Sequence, residues 1–205
     1  WSAHQLRWVR RTDVRTVALT AYWKGGARPE RFDANDTLFE MLPEAWVWSV
    51  LRRDGTRNVT LGLDASRVPK GRPALADVYQ EIHGSQLVAP LLAAAERVTE
   101  ISAVDATTAE SEHMSQPGLL IAGDAAAFID PLTSQGVTKA LHSGVAVALV
   151  ANTARVAPDD ATFAYNWYER SERSLAAHYA EVAADFYRSS PYATSGFWAR
   201  RIRPR

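Results

Sequence analysis

Cysteine is absent from all 205 residues, and methionine occurs only twice. Without thiols the chain cannot form a disulfide, hold an iron–sulfur cluster or build a thiolate zinc site. The absence fits a reducing compartment, and a cytoplasmic location is expected. Net charge is missing too: 23 Lys and Arg balance 23 Asp and Glu. Bulk charge therefore gives no support for nucleic acid or an acidic membrane as partner. No apolar run approaches the roughly 18 residues that a membrane-spanning helix requires. The longest, residues 145–151, continues a helical pattern. The histidines (His4, His83, His113, His142, His178) share no ligand spacing, so no metal site is expected. No Gly-x-Ser-x-Gly is present and Ser134 has no evident base, which leaves serine-hydrolase chemistry without support. The basic tail, residues 200–205, reads as solvated and is too short to argue for nucleic acid.

What is present suffices for a core: 47% of the residues are hydrophobic, enough for one domain, or one and a part. The chain opens on charged and aromatic residues without an initiator Met or the apolar core of a signal peptide, and is expected to be a segment of something longer. Residues 16–23 alternate, with Val17, Leu19, Ala21 and Trp23 on one side, and predict a strand ended by Lys24, Gly25 and Gly26. Residues 45–51 and 58–63 predict two more strands, joined through Asp54-Gly55 in a hairpin whose central residues would need positive φ. Residues 37–41 suggest another. After punctuation at 68–73, Leu75, Val78, Tyr79 and Ile82 fall at helical spacing up to Gly84. A second helix is expected through Leu87, Leu91, Leu92 and Val98, then a strand within 99–107, a polar loop over 110–117 and a short buried strand over 119–122. From Gly136 a helix presents Val137, Ala140, Leu141, Gly144, Val145, Ala148 and Leu149 on one face, expected to pack, and a long helix follows over 159–188.

The richest stretch is residues 118–136, GLLIAGDAAAFIDPLTSQG. An apolar run ends at Gly123, where a ligand can lie against bare backbone. Asp124 then places a carboxylate where open α/β sheets bind ligands. A carboxylate accepts strongly from vicinal hydroxyls such as those of a sugar-alcohol chain. Ala125, Ala126 and Ala127 keep the surface low. Pro131 stiffens a loop, and Ser134, Gln135 and Gly136 open a helix whose free N–H groups carry partial positive charge. An electron-rich carbonyl or an anion would be stabilised there, because Gly136 has no side chain to block its approach. Singly, Asp124 reads as a helix cap and the Pro131–Gly136 loop as an ordinary turn; together they favour a cofactor.

This segment resembles the Gly-Asp motif of FAD-dependent monooxygenases, geranylgeranyl-reductase-like enzymes and the tryptophan-halogenase-like group. Residues 128–131 and 134–141 are most similar to the last of these. The likeness is weaker over Trp46 and Trp48 with their hairpin, and over 186–200. The resemblance implies FAD as cofactor, with Gly123 among the cofactor-binding residues, Asp124 at the ribityl chain, and backbone of Pro131, Ser134, Gln135, Gly136 and Val137 at the isoalloxazine ring. It also implies a fold of the α/β class, α+β in this fragment: a partial Rossmann-like FAD-binding domain with an antiparallel substrate-side sheet and a C-terminal helical region. Trp46 and Trp48 share one strand face and would line the floor of the substrate pocket, with core packing at least equally open to them. The expected division is 1–107 for the sheet and two helices, 108–155 for the cofactor segment and its helix, and 156–205 for the helical region.

The activity so implied is monooxygenation of an aromatic or electron-rich small molecule, free or carrier-tethered, through a flavin hydroperoxide, with a flavin reductase as possible partner. Halogenation of a phenol or pyrrole is the alternative, and a non-catalytic remnant of the fold is a third reading. Tryptophan halogenases carry a glutamate where this chain has Thr133 and a Thr-Gly pair where it has Gln135-Gly136, which argues against tryptophan-type halogenation. No Gly-x-Gly-x-x-Gly opens a βαβ unit here, and Lys24, Lys70 and Lys139 match no catalytic lysine. The chain alone is therefore expected to be incomplete. His142 is expected at the surface or in packing, and His178-Tyr179 in packing.

Overall fold

The computed structural model describes residues 8–9, 14–27, 36–69 and 72–202. The chain divides into two compact units. One comprises residues 14–106 with 189–201. The other is built on residues 107–188, with the short strand Trp8–Val9 added to it.

The first unit is an antiparallel meander. Strand β1 (Thr16–Gly25) pairs with β4 (Thr56–Asp64), β4 with β3 (Ala45–Leu51), and β3 with β2 (Thr37–Leu42). Strands β5 (Ala95–Arg97) and β6 (Ser102–Asp105) lie one after the other along the free side of β1. The register places Leu19 opposite Leu61, Ala21 opposite Val59, and Val47 opposite Leu61. These odd-numbered residues line one face and bury against Tyr79, Ile82, Val88, Leu91 and Leu92. Helix α1 (Arg72–Tyr79), extended by a tighter turn to Gly84, supplies part of that layer. Tyr79 donates from its hydroxyl to the Val59 carbonyl at 2.8 Å, so even its polar end is satisfied inside.

Residues 189–201 return to this unit. Ser195 donates to the Pro43 carbonyl, Glu44 accepts from the Phe197 amide, and the buried Trp198 indole donates to the Leu42 carbonyl at 2.7 Å. Buried Asp64 accepts from both Arg200 and Arg201.

Several expectations are corrected. Only the turn Ala89–Leu92 is helical where a longer second helix was expected. The backbone of 95–97 is drawn into pairing with Trp23–Gly25, and such tertiary pairing overrides helical spacing. The hairpin between β3 and β4 needs positive φ at Gly55 (+80°) but not at Asp54. The Gly55 amide donates to the Arg52 carbonyl, closing a four-residue turn with the glycine in its left-handed place. The 110–117 segment is not all loop: Ala109–Ser111 pairs with Trp8–Val9 and Ala127–Phe128, and Ser115–Gln116 pairs with Leu119–Leu120. The short strand at 119 is thus half of a small hairpin. Every pairing among the described residues is antiparallel.

The second unit is dominated by α2 (Gly136–Val156) and α3 (Ala161–Arg188). Its core gathers Met114, Ile121, Ala126, Val150, Ala164 and Tyr168. Helix α2 turns Lys139, Ser143 and Val150 inward. Of the face expected to pack, Ala140 lies against Gly123, while Val137, Leu141, Val145 and Leu149 are exposed. No helix among the described residues is long and apolar enough to cross a membrane.

Candidate functional site

Gly123, Asp124 and Ala125 form one tight helical turn after the extended Ala122. Gly123 sits at φ +60°, a conformation that disfavours any side chain, and an added Cβ would lie 3.3 Å from the Ala140 Cβ. The φ favours glycine, and a side chain there would also need Ala140 to give by a few tenths of an ångström. Ala140 lies one helical turn into α2, so this turn packs on the first turns of that helix.

The fastening is polar and fully buried. Tyr168 donates its hydroxyl proton to the Ile121 carbonyl at 2.5 Å. Ser143 lies 3.0 Å from that hydroxyl, so its own proton points to Tyr168 and its oxygen accepts the Gly123 N–H at 3.0 Å. Lys139, with no exposed surface, donates to the Gly123 carbonyl at 3.1 Å and pairs with Glu172 at 2.9 Å. Gly123 is therefore gripped at both its N–H and its C=O by side chains one turn apart on α2. Burial pushes the Tyr168 phenol up to about 12, against a smaller lowering from its Ser143 hydrogen bond. The next residue, Asp124, is exposed.

The loop leading to α2 is equally determined. Asp130 caps the turn Pro131–Thr133 by accepting from the Leu132 amide at 3.0 Å, and its other oxygen accepts from Tyr187 at 2.8 Å. Thr133 is buried; its hydroxyl donates to the Asp130 carbonyl and receives the Gln135 N–H. Ser134 takes left-handed φ +53°, the one non-glycine residue to do so among those described. That reversal sets the start of α2, where the first intrahelical bond runs from Lys139 N–H to the Gln135 carbonyl. The N–H groups of Gly136, Val137 and Thr138 have no acceptor within the helix, and Gln135 gives no side-chain cap. A Cβ at Gly136 would meet nothing within 4 Å.

The structure thus brings Gly123, Asp124, Pro131, Ser134, Gln135, Gly136 and Val137 into one unit around the start of α2. A carboxylate, an uncapped helix start and clear space above a glycine can receive hydroxyls and an electron-rich carbonyl. The chemistry of this donor and acceptor set suits a flavin with its polyol chain. Ala126 and Ala127 are buried, so they act in packing as well as in keeping the surface low.

Trp46 and Trp48 lie in the other unit. Trp46 is buried with its indole against Gly62, and the Phe39 ring centroid is 6.4 Å away. Trp48 is half-buried, and the ring N–H groups of both are buried without an acceptor. Packing accounts for the Trp46 ring; the two orphaned donors it leaves unexplained. His142 and His178 are exposed, with Tyr179 beside the latter buried. His4 and Lys70 lie outside the described residues, as do 203–205 of the basic tail. Among the described residues no group of three His, Cys, Asp or Glu could hold a metal ion.

The residues not anticipated are Lys139, Ser143, Tyr168 and Glu172. The available signal was spacing: Lys139 with Ser143, and Tyr168 with Glu172, are each one turn apart, and each places a polar stripe inside an otherwise small or apolar helix face.

No protein-family profile matches the chain. A curated relative, the tryptophan 2-halogenase of Chondromyces crocatus, is 28% identical over 187 residues, which is 89% of this chain and 36% of that protein. The crystal structure of CmlS, a flavin-dependent halogenase, superposes with a TM-score of 0.82 at 26% identity, over 95% of this chain and 36% of that one. The peptidyl tryptophan dihydroxylase QhpG superposes with a TM-score of 0.74 at 26% identity, over 91% of this chain and 43% of that one. The chain resembles flavin-dependent halogenases over nearly all of its length and has the fold of the corresponding part of them. It spans about a third of the length of the curated relative just named, 36%.

Proposed function

We propose that residues 107–188 hold the ribityl and ring portions of an FAD, and that the protein is an FAD-dependent oxidoreductase of the halogenase type acting on an electron-rich small molecule. One observation carries this reading: the Gly123 peptide is fixed to α2 on both sides while the neighbouring Asp124 carboxylate is left exposed, on the unit that also presents the uncapped start of α2. Bound FAD would supply the redox chemistry with oxygen, fed by a separate flavin reductase. The residues of this chain bind and orient it. Asp124 would hold the polyol chain by accepting from its hydroxyls, and the free N–H groups of Gly136, Val137 and Thr138 would supply partial positive charge that favours an electron-rich reduced ring.

For the substrate, Thr133 is the discriminating position. Its hydroxyl is turned into the loop backbone, and no carboxylate stands there. That favours a phenol or pyrrole over an indole, although the names of two similar proteins, the tryptophan 2-halogenase and the peptidyl tryptophan dihydroxylase, point to tryptophan. Hydroxylation is the second reading. It is favoured by the Gln135-Gly136 loop end, which resembles the loop of hydroxylating flavoproteins, and by the likeness to a dihydroxylase. The substrate is taken free or on a carrier, and the compartment is the cytoplasm.

The test is FAD titration, by flavin fluorescence, of the natural full-length gene product and its Asp124→Ala variant. Loss of hydrogen bonds to a charged acceptor predicts about 10- to 100-fold weaker binding. Equal affinity removes the assignment, and a gene product that binds no FAD identifies a non-catalytic remnant. Turnover with reductase, with and without halide, then separates a halogenated from a hydroxylated product.

A further inference from the structure

Arg57 is only 7% exposed, although arginine is rarely taken out of water without a carboxylate beside it. It stands on β4 two residues before Val59, on the core face of the sheet, opposite Trp23 of β1 and Leu51 of β3. Among the described residues its guanidinium makes one hydrogen bond, from Nη1 to the Ser49 hydroxyl oxygen at 3.0 Å, and no ion pair. Ser49 is fully buried on β3, opposite Leu38 of β2 and Val59 of β4. Its oxygen accepts from Arg57, and its own proton has no acceptor among the described residues. Burial lowers the pKa of the guanidinium from its ordinary value, and no neighbouring carboxylate opposes that shift.

A guanidinium carries five N–H donors and no acceptor, and a hydroxyl that already accepts adds one further donor. The cluster is therefore all donors around one positive charge, with nothing to receive them. A buried charge without a partner is costly, and native structures seldom leave one so.

We propose that Arg57 and Ser49 form a binding site for a small monovalent anion of the chloride or bromide class, held inside the first unit as counter-ion to the guanidinium. Such an ion accepts from several donors at once and needs none in return, which matches a set without acceptors. Its single charge balances the single guanidinium, whereas a divalent oxyanion would leave excess negative charge in the core. It has no further atoms to house beside Leu38 and Val59, both buried. The part of Arg57 that stays exposed gives the ion its access. A carboxylate shares this chemistry but brings a carbon skeleton. The ion is structural and is not consumed, and the site does not rest on the FAD reading, which concerns residues 107–188.

The test is thermal unfolding of the natural full-length gene product, as purified, in sodium gluconate replaced stepwise by chloride or bromide at constant ionic strength. A parallel series uses formate. Two variants accompany it: Ser49→Ala removes one donor, and Arg57→Met removes the charge while keeping an unbranched apolar stem. Chloride and bromide are expected to raise the midpoint saturably, with the folded-to-unfolded ratio about ten-fold higher at ten times the dissociation constant. Ser49→Ala should need about ten-fold more halide for the same rise. Arg57→Met should lose the rise and be at least as stable as the unsubstituted protein in gluconate. Crystals grown in bromide should show its anomalous signal at the Arg57 guanidinium. Should Arg57→Met not fold, the Ser49→Ala series and the bromide signal decide. Equal midpoints in gluconate and halide, an undiminished rise in Arg57→Met, or stabilisation by formate alone overturns the proposal. A bromide signal without the saturable rise marks an adventitious ion only and overturns it too. A product that shows the rise but binds no FAD upholds the site and removes the flavin reading alone.

Discussion

Ser143 accepts the backbone N–H of Gly123 at 3.0 Å, inside the core of the second unit, while donating its own proton to Tyr168. One hydroxyl therefore couples α3, α2 and the turn that carries Asp124. Replacing Ser143 by alanine removes the acceptor and leaves a buried amide unpaired, which costs about 1–3 kcal/mol. The expected result is a lower denaturation midpoint, with faster hydrogen exchange at the Gly123 amide than at amides elsewhere in α2. Unchanged exchange at Gly123 would show that the turn is held by other means.

Lys139 and Glu172 make the complementary prediction. Both side chains are almost fully buried, and the ammonium also reaches the Gly123 carbonyl. Lys139→Met strands the Glu172 carboxylate in the core, a loss of about 3–5 kcal/mol. The double variant Lys139→Met/Glu172→Leu removes both charges and is expected to recover most of that loss, because a buried pair repays little beyond its own desolvation. Denaturant titration of the three proteins measures it. A double variant as unstable as the single would mean that the pair contributes more than mutual neutralisation.

The meander was legible because each of its strands has one face in the core, so Val17, Leu19, Ala21 and Trp23 alternate with more polar neighbours. The start of α2 was legible through Gly136 and the loop before it. Two things were hidden for physical reasons. Leu91, Leu92 and Val98 keep helical spacing, but the pairing of β5 with β1 is a contact between residues distant in sequence, which spacing cannot report. The row Val137, Leu141, Val145 and Leu149 reads as core, since apolar periodicity predicts a packed face and cannot report that this one is exposed. Lys139 reads as a solvated charge until the partner on α3, 33 residues later, is brought against it.

Alkaline pH should weaken both units. Burial raises the phenols of Tyr168 and Tyr79 to about 12 from an ordinary value of 10. Each stays protonated in the fold over a range where the unfolded chain has released its proton. The stability each contributes is therefore complete below pH 10 and is lost as pH rises towards 12, by up to roughly 2–3 kcal/mol per group. Thermal unfolding followed from pH 8 to 11.5 should show the midpoint falling above pH 10. Tyr168→Phe should flatten part of that fall, at the cost of its hydrogen bonds to Ile121 and Ser143. An identical slope in the variant would assign the alkaline loss to other groups.

Gly62 is the most sensitive position of the sheet. It lies on β4 opposite Trp46 of β3, and an added Cβ would come within 2.0 Å of the indole ring. The Trp46 side chain is 1% exposed and cannot withdraw into solvent. Gly62→Ala must therefore push the ring off its rotamer or part the two strands, costing about 1–3 kcal/mol or more. In β1, Ala18 faces Gly62 from the other side, so parting the strands would disturb three of them at once. Val59→Ala, which removes two methyl groups from the opposite face where Gly62→Ala adds one, provides the comparison. Both variants should lower the unfolding midpoint, but only Gly62→Ala should shift the summed tryptophan emission of the folded protein, to which Trp46 contributes as one of seven. A Gly62→Ala protein with native stability and emission would show that the indole has room to move.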